Sequence, residues 1–310
     1  MTTLYLTNDA CNKHENGPSH PERPERLDAI ETALAHESFN KLTRKQSQMG
    51  TIEHISRAHP QNYIDLIKNA APNEGYTHID PDTAMNKHTW DALLGAAGAA
   101  IDAVDAIMTG THKNAFIATR PPGHHAEQTR ACGFCIFNHI AIAAHHARNT
   151  HNAERVAVID FDVHHGNGTQ DIFWSNKNLF YGSTHQMPLF PGTGAVNETG
   201  VGNICNAPLN AGDGSEQFKD AMQDRIFPSL KNFAPDLILV SAGFDAHTND
   251  PLAGINLTED DFAWITHQLL EIAENQANGR LISILEGGYH LESLSTSVAA
   301  HVKALINASS

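Results

Sequence analysis

The residues with the most chemical potential sit in short polar segments that follow apolar runs. Asp162 and His164 are two residues apart in Asp-Phe-Asp-Val-His-His, directly after the run Val156–Asp160. Extended backbone with period two would point both side chains to the same side, where they could share one ion. A third ligand must come from elsewhere, and Asp245, closing Leu-Ile-Leu-Val-Ser-Ala-Gly-Phe-Asp, is the best-placed carboxylate. Two carboxylates and one imidazole make a harder site than the thiolates of zinc fingers, and three protein ligands leave a position open for water or substrate. Zinc is the expected ion, with Fe²⁺ as the alternative. The tripeptide Asp162-Val-His164 alone carries little weight. Its weight comes from Asp245 and from the paired histidines that accompany it.

His124 and His125 follow Pro-Pro-Gly, a rigid turn that fixes where both imidazoles point. One neutral imidazole could deprotonate a metal-activated water and pass the proton to a departing amine, while its neighbour, hydrogen-bonded to a carboxylate, supplies positive charge. The metal would lower the pKa of its water towards about 7 and polarise an amide carbonyl. Asp160, at the strand terminus, is expected to face away from the metal pair and either anchor the loop or accept from one of those histidines. Tyr289 follows two glycines in Glu-Gly-Gly-Tyr-His, so its phenol could reach over the metal and donate to an oxyanion. Cys132-Gly-Phe-Cys135 lacks a second cysteine pair at zinc-site spacing and a thioredoxin-like setting, which argues against a metal knuckle or redox pair. Phe134 and Phe190 are candidate walls of an apolar slot.

These segments need elements to position them. Strands are expected at Ala115–Thr119, Val156–Asp160, Leu179–Ser183, Leu237–Ala242 and Leu281–Leu285, and helices at Trp90–Met108, Asn138–Asn149, Ser215–Phe227, Glu259–Asn275 and Glu292–Ile306. Short strands apolar on both faces, alternating with amphipathic helices, predict an α/β chain with a parallel sheet covered on both sides. Ligands then bind beyond the carboxyl ends of the strands. Polar residues concentrate there after all five runs, and that convergence outweighs any single motif.

Composition narrows the partners. Lys plus Arg is 20 and Asp plus Glu is 35, a net charge of -15, which argues against a sequence-independent grip on nucleic acid and suits a cationic partner. Four cysteines form no disulfide framework, and no stretch offers about 18 unbroken apolar residues, so a cytoplasmic protein that does not enter the membrane is expected. One domain over residues 1–310 is expected, since α/β folds often reach that length as one unit. Histidine is the anomaly, with 21 residues. His36, His54, His59, His112, His151 and His301 lie in polar or helical surroundings without ligand-like neighbours in the sequence.

The ordered motifs His-Pro-Glu-Arg-Pro-Glu-Arg-Leu, Arg-Pro-Pro-Gly-His-His, Gly-Phe-Cys, Asp-Phe-Asp-Val-His-His-Gly-Asn-Gly-Thr, Ala-Gly-Phe-Asp-Ala-His and Glu-Gly-Gly-Tyr resemble the histone deacetylase superfamily, over about His20 to Leu291. Acetylpolyamine amidohydrolases and acetoin-utilisation proteins are among its members. The resemblance implies the arginase-deacetylase fold, a three-layer α/β/α unit with a mainly parallel sheet of about eight strands. It implies Asp162, His164 and Asp245 as metal ligands, His125 as general base and acid, His124 as its electrostatic partner paired with Asp160, and Tyr289 as the transition-state tyrosine. Arg26 matches the arginine beside an internal acetate channel, and Gly133, Phe134 and Phe190 match the acyl-lysine tunnel. Backbone carbonyls of Asp160, Asp162 and His164, with Ser183, resemble a structural potassium site. Asn167 stands where class I members have an aspartate, as in class II members and their bacterial relatives, so His125 gains a neutral acceptor. Leu252 replaces the glutamate expected of a polyamine-selective enzyme. Asp80 or Asp82 could be a rim carboxylate holding a substrate backbone.

The implied activity is zinc-dependent deacylation of acetyl-lysine peptides or small acylated amines. Acetylpolyamines, other small amides and esters are alternative substrates, and a non-catalytic acyl-amine sensor is a further reading. A two-manganese ureohydrolase would need more bridging carboxylates and would leave Tyr289 without a role.

Overall fold

The computed structural model describes residues 2–309. Its strands are β1 (Leu4–Thr7), β2 (Thr43–Gln46), β3 (Thr77–Asp80), β4 (Thr83–Met85), β5 (Asn114–Ile117), β6 (Val156–Asp160), β7 (Leu179–Gln186), β8 (Ile204–Leu209), β9 (Leu237–Ala242) and β10 (Leu281–Leu285). Eight of them form one sheet in the order β2-β1-β5-β10-β9-β6-β7-β8, while β3 and β4 make a separate hairpin. Every pairing in the large sheet is parallel.

The sheet is apolar on both faces because alternate side chains feed two cores. From β9, Ile238, Val240 and Ala242 enter one cluster, while Leu237 and Leu239 enter the other. The first core is closed by α1 (Glu25–Leu34), α7 (Ser215–Ala221), α8 (Phe227–Phe233), α9 (Glu259–Gln276) and α10 (Leu291–Ser309). The second is closed by α2 (Ile52–Ile55), α3 (Gln61–Ala70), α4 (Thr89–Met108), α5 (His139–His151) and α6 (Asn167–Phe173). Each fully buried Leu, Ile or Phe contributes about 1.5–3 kcal/mol, so this double coverage is the main source of stability.

The five expected strands are all present, within a few residues of their expected ends. The other three strands of the large sheet, β1, β2 and β8, are short or lie at its edges. Strand β2 is the polar Thr-Arg-Lys-Gln, and β8 contains Pro208; both are features of edge strands that hide them from a search for apolar runs. The helix expected over Ser215–Phe227 runs on to Phe233 through a π-helical turn at Met222–Ile226. No helix is long and apolar enough to cross a membrane among the described residues.

Strands β5, β10, β9 and β6 are neighbours in space although far apart in sequence. Their carboxyl ends carry His124 and His125, Tyr289, Asp245, and Asp160 to His164, which places those groups over the middle of the sheet.

Candidate metal centre and active site

Asp162, Asp245 and His164 come together as expected, with ligand atoms all within 4.8 Å of one another. Nδ1 of His164 lies 3.2 Å from Oδ1 of Asp162 and 3.1 Å from Oδ2 of Asp245. The local cause differs from the expected strand periodicity. Strand β6 ends at Asp160, and the ligands sit in a turn in which Asp162 Oδ1 accepts from the backbone N–H of His164 at 2.9 Å. The other carboxylate oxygens are aimed by backbone donors: Asp245 Oδ1 accepts from Val163 N at 2.9 Å and Asp162 Oδ2 from Gly287 N at 2.8 Å. A Cβ on Gly287 would run into both Asp245 Oδ2 and Asp162 Oδ2, so glycine is required there.

The electrostatics fit a cation. Burial and then the neighbouring Asp162 push Asp245 up to about 7, as expected for two carboxylates crowded in a dry site. Burial opposes the charge on His164, yet Asp162 and Asp245 outweigh it and push the imidazole up to about 10. The donor set of two oxygens and one nitrogen suits a divalent ion of zinc's character.

The two adjacent histidines sit in contrasting surroundings, with ring centroids 4.0 Å apart. His124 Nδ1 lies 3.0 Å from Asp160 Oδ2, an oxygen that also accepts from the Tyr181 hydroxyl at 3.0 Å. Burial disfavours a charged His124, but Asp160, Asp162 and Glu286 overcome it and push it up to about 10. His125 Nδ1 instead meets Oδ1 of Asn167 at 2.9 Å. Burial, then the charges of His124 and His164, hold His125 well below the ordinary histidine range, so it is neutral. Asp160 thus takes both of its expected roles, since its Oδ1 also anchors the loop by accepting from Asp162 N at 3.1 Å.

Tyr289 is 9% exposed, and its backbone N–H donates to Asp250 Oδ2 at 2.7 Å. Its ring meets Phe134 edge-on at 5.8 Å, and the Arg26 guanidinium lies 5.0 Å over it. Arg26 is fully buried and donates to the carbonyls of Gly288 at 2.7 Å and Glu286 at 2.5 Å. It therefore braces the glycine turn, where Gly288 has φ +118°.

Cys132-Gly-Phe-Cys135 is a tight turn. Cys132 and Cys135 exchange backbone hydrogen bonds at 3.0 Å, and Gly133 and Phe134 both have positive φ, +56° and +68°, as a type I′ turn requires. Both thiols are free and buried, and Cys135 falls with His124 and Glu286 in a second group of ligand type. The turn presents Phe134, whose N–H donates to Thr83 Oγ1 at 2.9 Å and whose ring meets His20 at 4.6 Å. Gly133 leaves room for His125, since a Cβ there would lie 2.5 Å from its Cδ2. Phe190 is 42% exposed and meets His125 edge-on at 5.1 Å, so the two phenylalanines flank the approach to the histidines.

Leu252 is half-buried, its N–H held by Asp250 Oδ1 at 3.1 Å. Ser183 lies opposite Asp160 in the β6–β7 register, with its hydroxyl 2.9 Å from His185 Nδ1. Asp80 and Asp82 sit at the turn of the β3–β4 hairpin, and Thr83, which receives the Phe134 N–H, donates to Asp82 Oδ1 at 2.8 Å.

Several contributors, two of them inside the quoted motifs, received no role from the sequence. Glu286 accepts from the N–H groups of Gly123 at 2.6 Å and His124 at 3.1 Å, fixing the histidine turn. Glu22 is fully buried between Arg120, whose Nη2 is 2.7 Å away, and Arg26 at 3.2 Å. Glu22 lies between two prolines in His-Pro-Glu-Arg-Pro, and Glu286 is a lone charge between an apolar strand and two glycines. Asp105, His146 and His151 form another cluster of ligand type, which corrects the reading of His151 as lacking such neighbours. Arg57 donates to Nδ1 of His146, so Nε2 of that ring is the N–H that donates to Asp105 at 2.6 Å; His151 Nε2 meets the same oxygen at 2.6 Å. It is a hydrogen-bonded clasp between α4 and α5.

Comparison with known proteins agrees with this geometry. A histone deacetylase domain model matches residues 20–305. Histone deacetylase 10, chloroplastic, of Oryza sativa subsp. japonica is 39% identical, covering 98% of this chain and 73% of that protein. The histone deacetylase-like amidohydrolase of Pseudomonas aeruginosa is 37% identical, covering 93% of this chain and 81% of that protein. The crystal structure of the HDA15 HD domain superposes with a TM-score of 0.93 at 34% identity, covering 99% of this chain and 88% of that one. The eight-stranded sheet between helical layers is the arginase-deacetylase fold, and the chain is a hydrolase that belongs to the histone deacetylase family.

Proposed function

We propose that residues 1–310 work as a single catalytic domain, a zinc-dependent amidohydrolase that deacylates acetyl-lysine-type substrates. The observation that carries this reading is the split between His124 and His125: adjacent imidazoles, one held charged beside Asp160 and the other held neutral beside Asn167. Two titratable groups driven apart by their surroundings are the mark of divided acid–base labour.

Asp162, His164 and Asp245 would hold the zinc, with Fe²⁺ as the alternative ion. When bound, the metal supplies Lewis acidity to the acyl carbonyl and the attacking water. His125, neutral, removes a proton from that water through Nε2 and returns it to the departing amine. His124 keeps its proton and contributes positive charge, steadied by Asp160. The Tyr289 hydroxyl donates to the oxygen on which negative charge develops, with the ring held by Arg26 and Phe134. Gly133, Phe134, Phe190 and Leu252 line the path of the acylated side chain and exclude water from it. The freed carboxylate leaves past Arg26. A structural K⁺ is assigned to the carbonyls of Asp160, Asp162 and His164 with Ser183. Four buried free thiols support a reducing, cytoplasmic setting.

Small acylated amines, acetylpolyamines included, form a second substrate class, favoured by the acidic chain and by Asp80 and Asp82 on the hairpin beside Phe134. The experiment is a panel of acetyl-lysine peptides, acetylated polyamines and longer acyl-lysines with the metal-reconstituted protein. Turnover of acetyl-lysine peptides above the others supports the first reading. Binding without turnover across the whole panel would leave the protein a sensor and overturn both.

A further inference from the structure

Asn167 carries a choice that its own chemistry does not settle. An amide offers an acceptor oxygen and a donor NH₂ on nearly identical positions, and only its partners decide which way each points. One partner, His125 Nδ1, can accept or donate. The other is Glu127, whose Oε1 lies 2.7 Å from Asn167 Nδ2. An ionised carboxylate can only accept, so it draws the NH₂ outward and leaves Oδ1 facing His125. There Oδ1, 2.9 Å from Nδ1, can only accept, which keeps the imidazole proton on Nδ1 and Nε2 free as a base. Glu127 is itself held in place: its backbone N–H donates to Arg130 O at 3.0 Å, and the adjacent Gln128 N–H donates to Asp171 Oδ2 of α6 at 3.1 Å.

We propose that Glu127 is a positioning residue that sets the tautomer of His125 through the amide of Asn167. The inference rests on the reading of His125 as the general base. It differs from a plain structural role, because what matters is that residue 127 accepts hydrogen bonds and cannot donate them. The Glu127 side chain is 30% exposed and in a surface turn, so Glu127→Gln leaves the fold in place while removing that property. A glutamine can donate to Asn167 Oδ1, allowing the amide to turn over and present NH₂ to His125, which moves the imidazole proton to Nε2.

The test combines kinetics with spectroscopy. On a fluorogenic acetyl-lysine peptide, E127Q is expected to lower kcat about tenfold while KM stays within about twofold, since part of the base is lost and the binding path is untouched. In an N167D background, residue 167 is itself acceptor-only and needs no orienting, so adding E127Q should no longer lower kcat. Long-range ¹⁵N spectra of the histidines, with His125 identified by its loss in H125A, should show Nδ1 protonated in the parent protein and an Nε2-protonated form gained in E127Q. Unchanged kcat in E127Q, an equal loss in both backgrounds, or a His125 tautomer indifferent to residue 127 would overturn the proposal. The spectra need no turnover. If the peptide is not hydrolysed at all, the activity reading fails while the tautomer result still decides this one.

Discussion

Acid is the perturbation to which a chain with 21 histidines responds most sharply. Six of them outside the active site are pushed far down by burial, the leading cause in each case. His59, His145 and His185 are pushed down to about 4, His139 and His301 to about 3, and His165 to about 2. His301 shows the pattern: its ring nitrogens are spent on the hydroxyls of Thr266 at 2.6 Å and Ser283 at 2.8 Å, with no carboxylate to stabilise a charge. An unfolded histidine titrates near pH ~6.5. Below that pH the unfolded chain binds protons that the native one refuses, so stability falls as pH falls, from the unfolded pKa down through each folded one. Between about pH 6.5 and about pH 5.5 this costs about 1 kcal/mol per histidine, about 6 kcal/mol for the set. The slope depends only on the unfolded pKa while the folded one stays below about 4.5. Asp245 and Glu286, both raised to about 7 mainly by burial, run the other way. Their native forms take up protons that unfolded carboxylates decline, which returns about 2 kcal/mol over the same interval. His125, also held neutral, adds about 1 kcal/mol to the loss, and His124 and His164, both pushed up to about 10, together return nearly as much. The metal-free chain should therefore lose about 4 kcal/mol, a large share of the roughly 5–15 kcal/mol that stabilises a typical domain. Urea unfolding of metal-stripped protein at the two ends of that pH range, at constant ionic strength, measures the loss as a falling midpoint at unchanged slope. Equal midpoints would refute the burial of these rings in neutral form.

Tyr289→Phe should lower kcat by about 10²–10³ with KM within about threefold, because the ring contacts survive and one donor to the developing oxyanion is lost. Unchanged turnover in steady-state assays would remove the tyrosine from the chemistry. Elemental analysis of reconstituted protein should find one catalytic divalent ion per chain, and a hydroxamate chelator should abolish hydrolysis; two such ions would favour ureohydrolase chemistry instead. Glu22→Gln, which strips the counter-charge from buried Arg26 and Arg120, should destabilise the fold by about 3–5 kcal/mol in denaturant titrations. A loss below about 1 kcal/mol would mean that the two arginines are satisfied by their backbone partners alone.

Much of the fold and of the site was legible along the chain, for reasons of period and polarity. Central parallel strands are buried on both faces, so β6, β9 and β10 appear as unbroken apolar runs whose ends are sharp. The polar residues just beyond them stand out by contrast, which is why Asp162, His164, Asp245, His124, His125 and Tyr289 could be singled out together. Edge strands β2 and β8 carry no such contrast, and the family resemblance implied only their number and not their place. The tertiary structure alone decided what lies between distant segments. Glu22 meets Arg120 across 98 residues, and Glu286 reaches the N–H groups of Gly123 and His124 across more than 160. It also decided the charge on each histidine, since burial and the nearest carboxylate set it, and the two neighbours His124 and His125 end in opposite states. Residue types and local spacing are written in the chain, whereas a partner across the sheet and the water excluded around it exist only once the layers have packed.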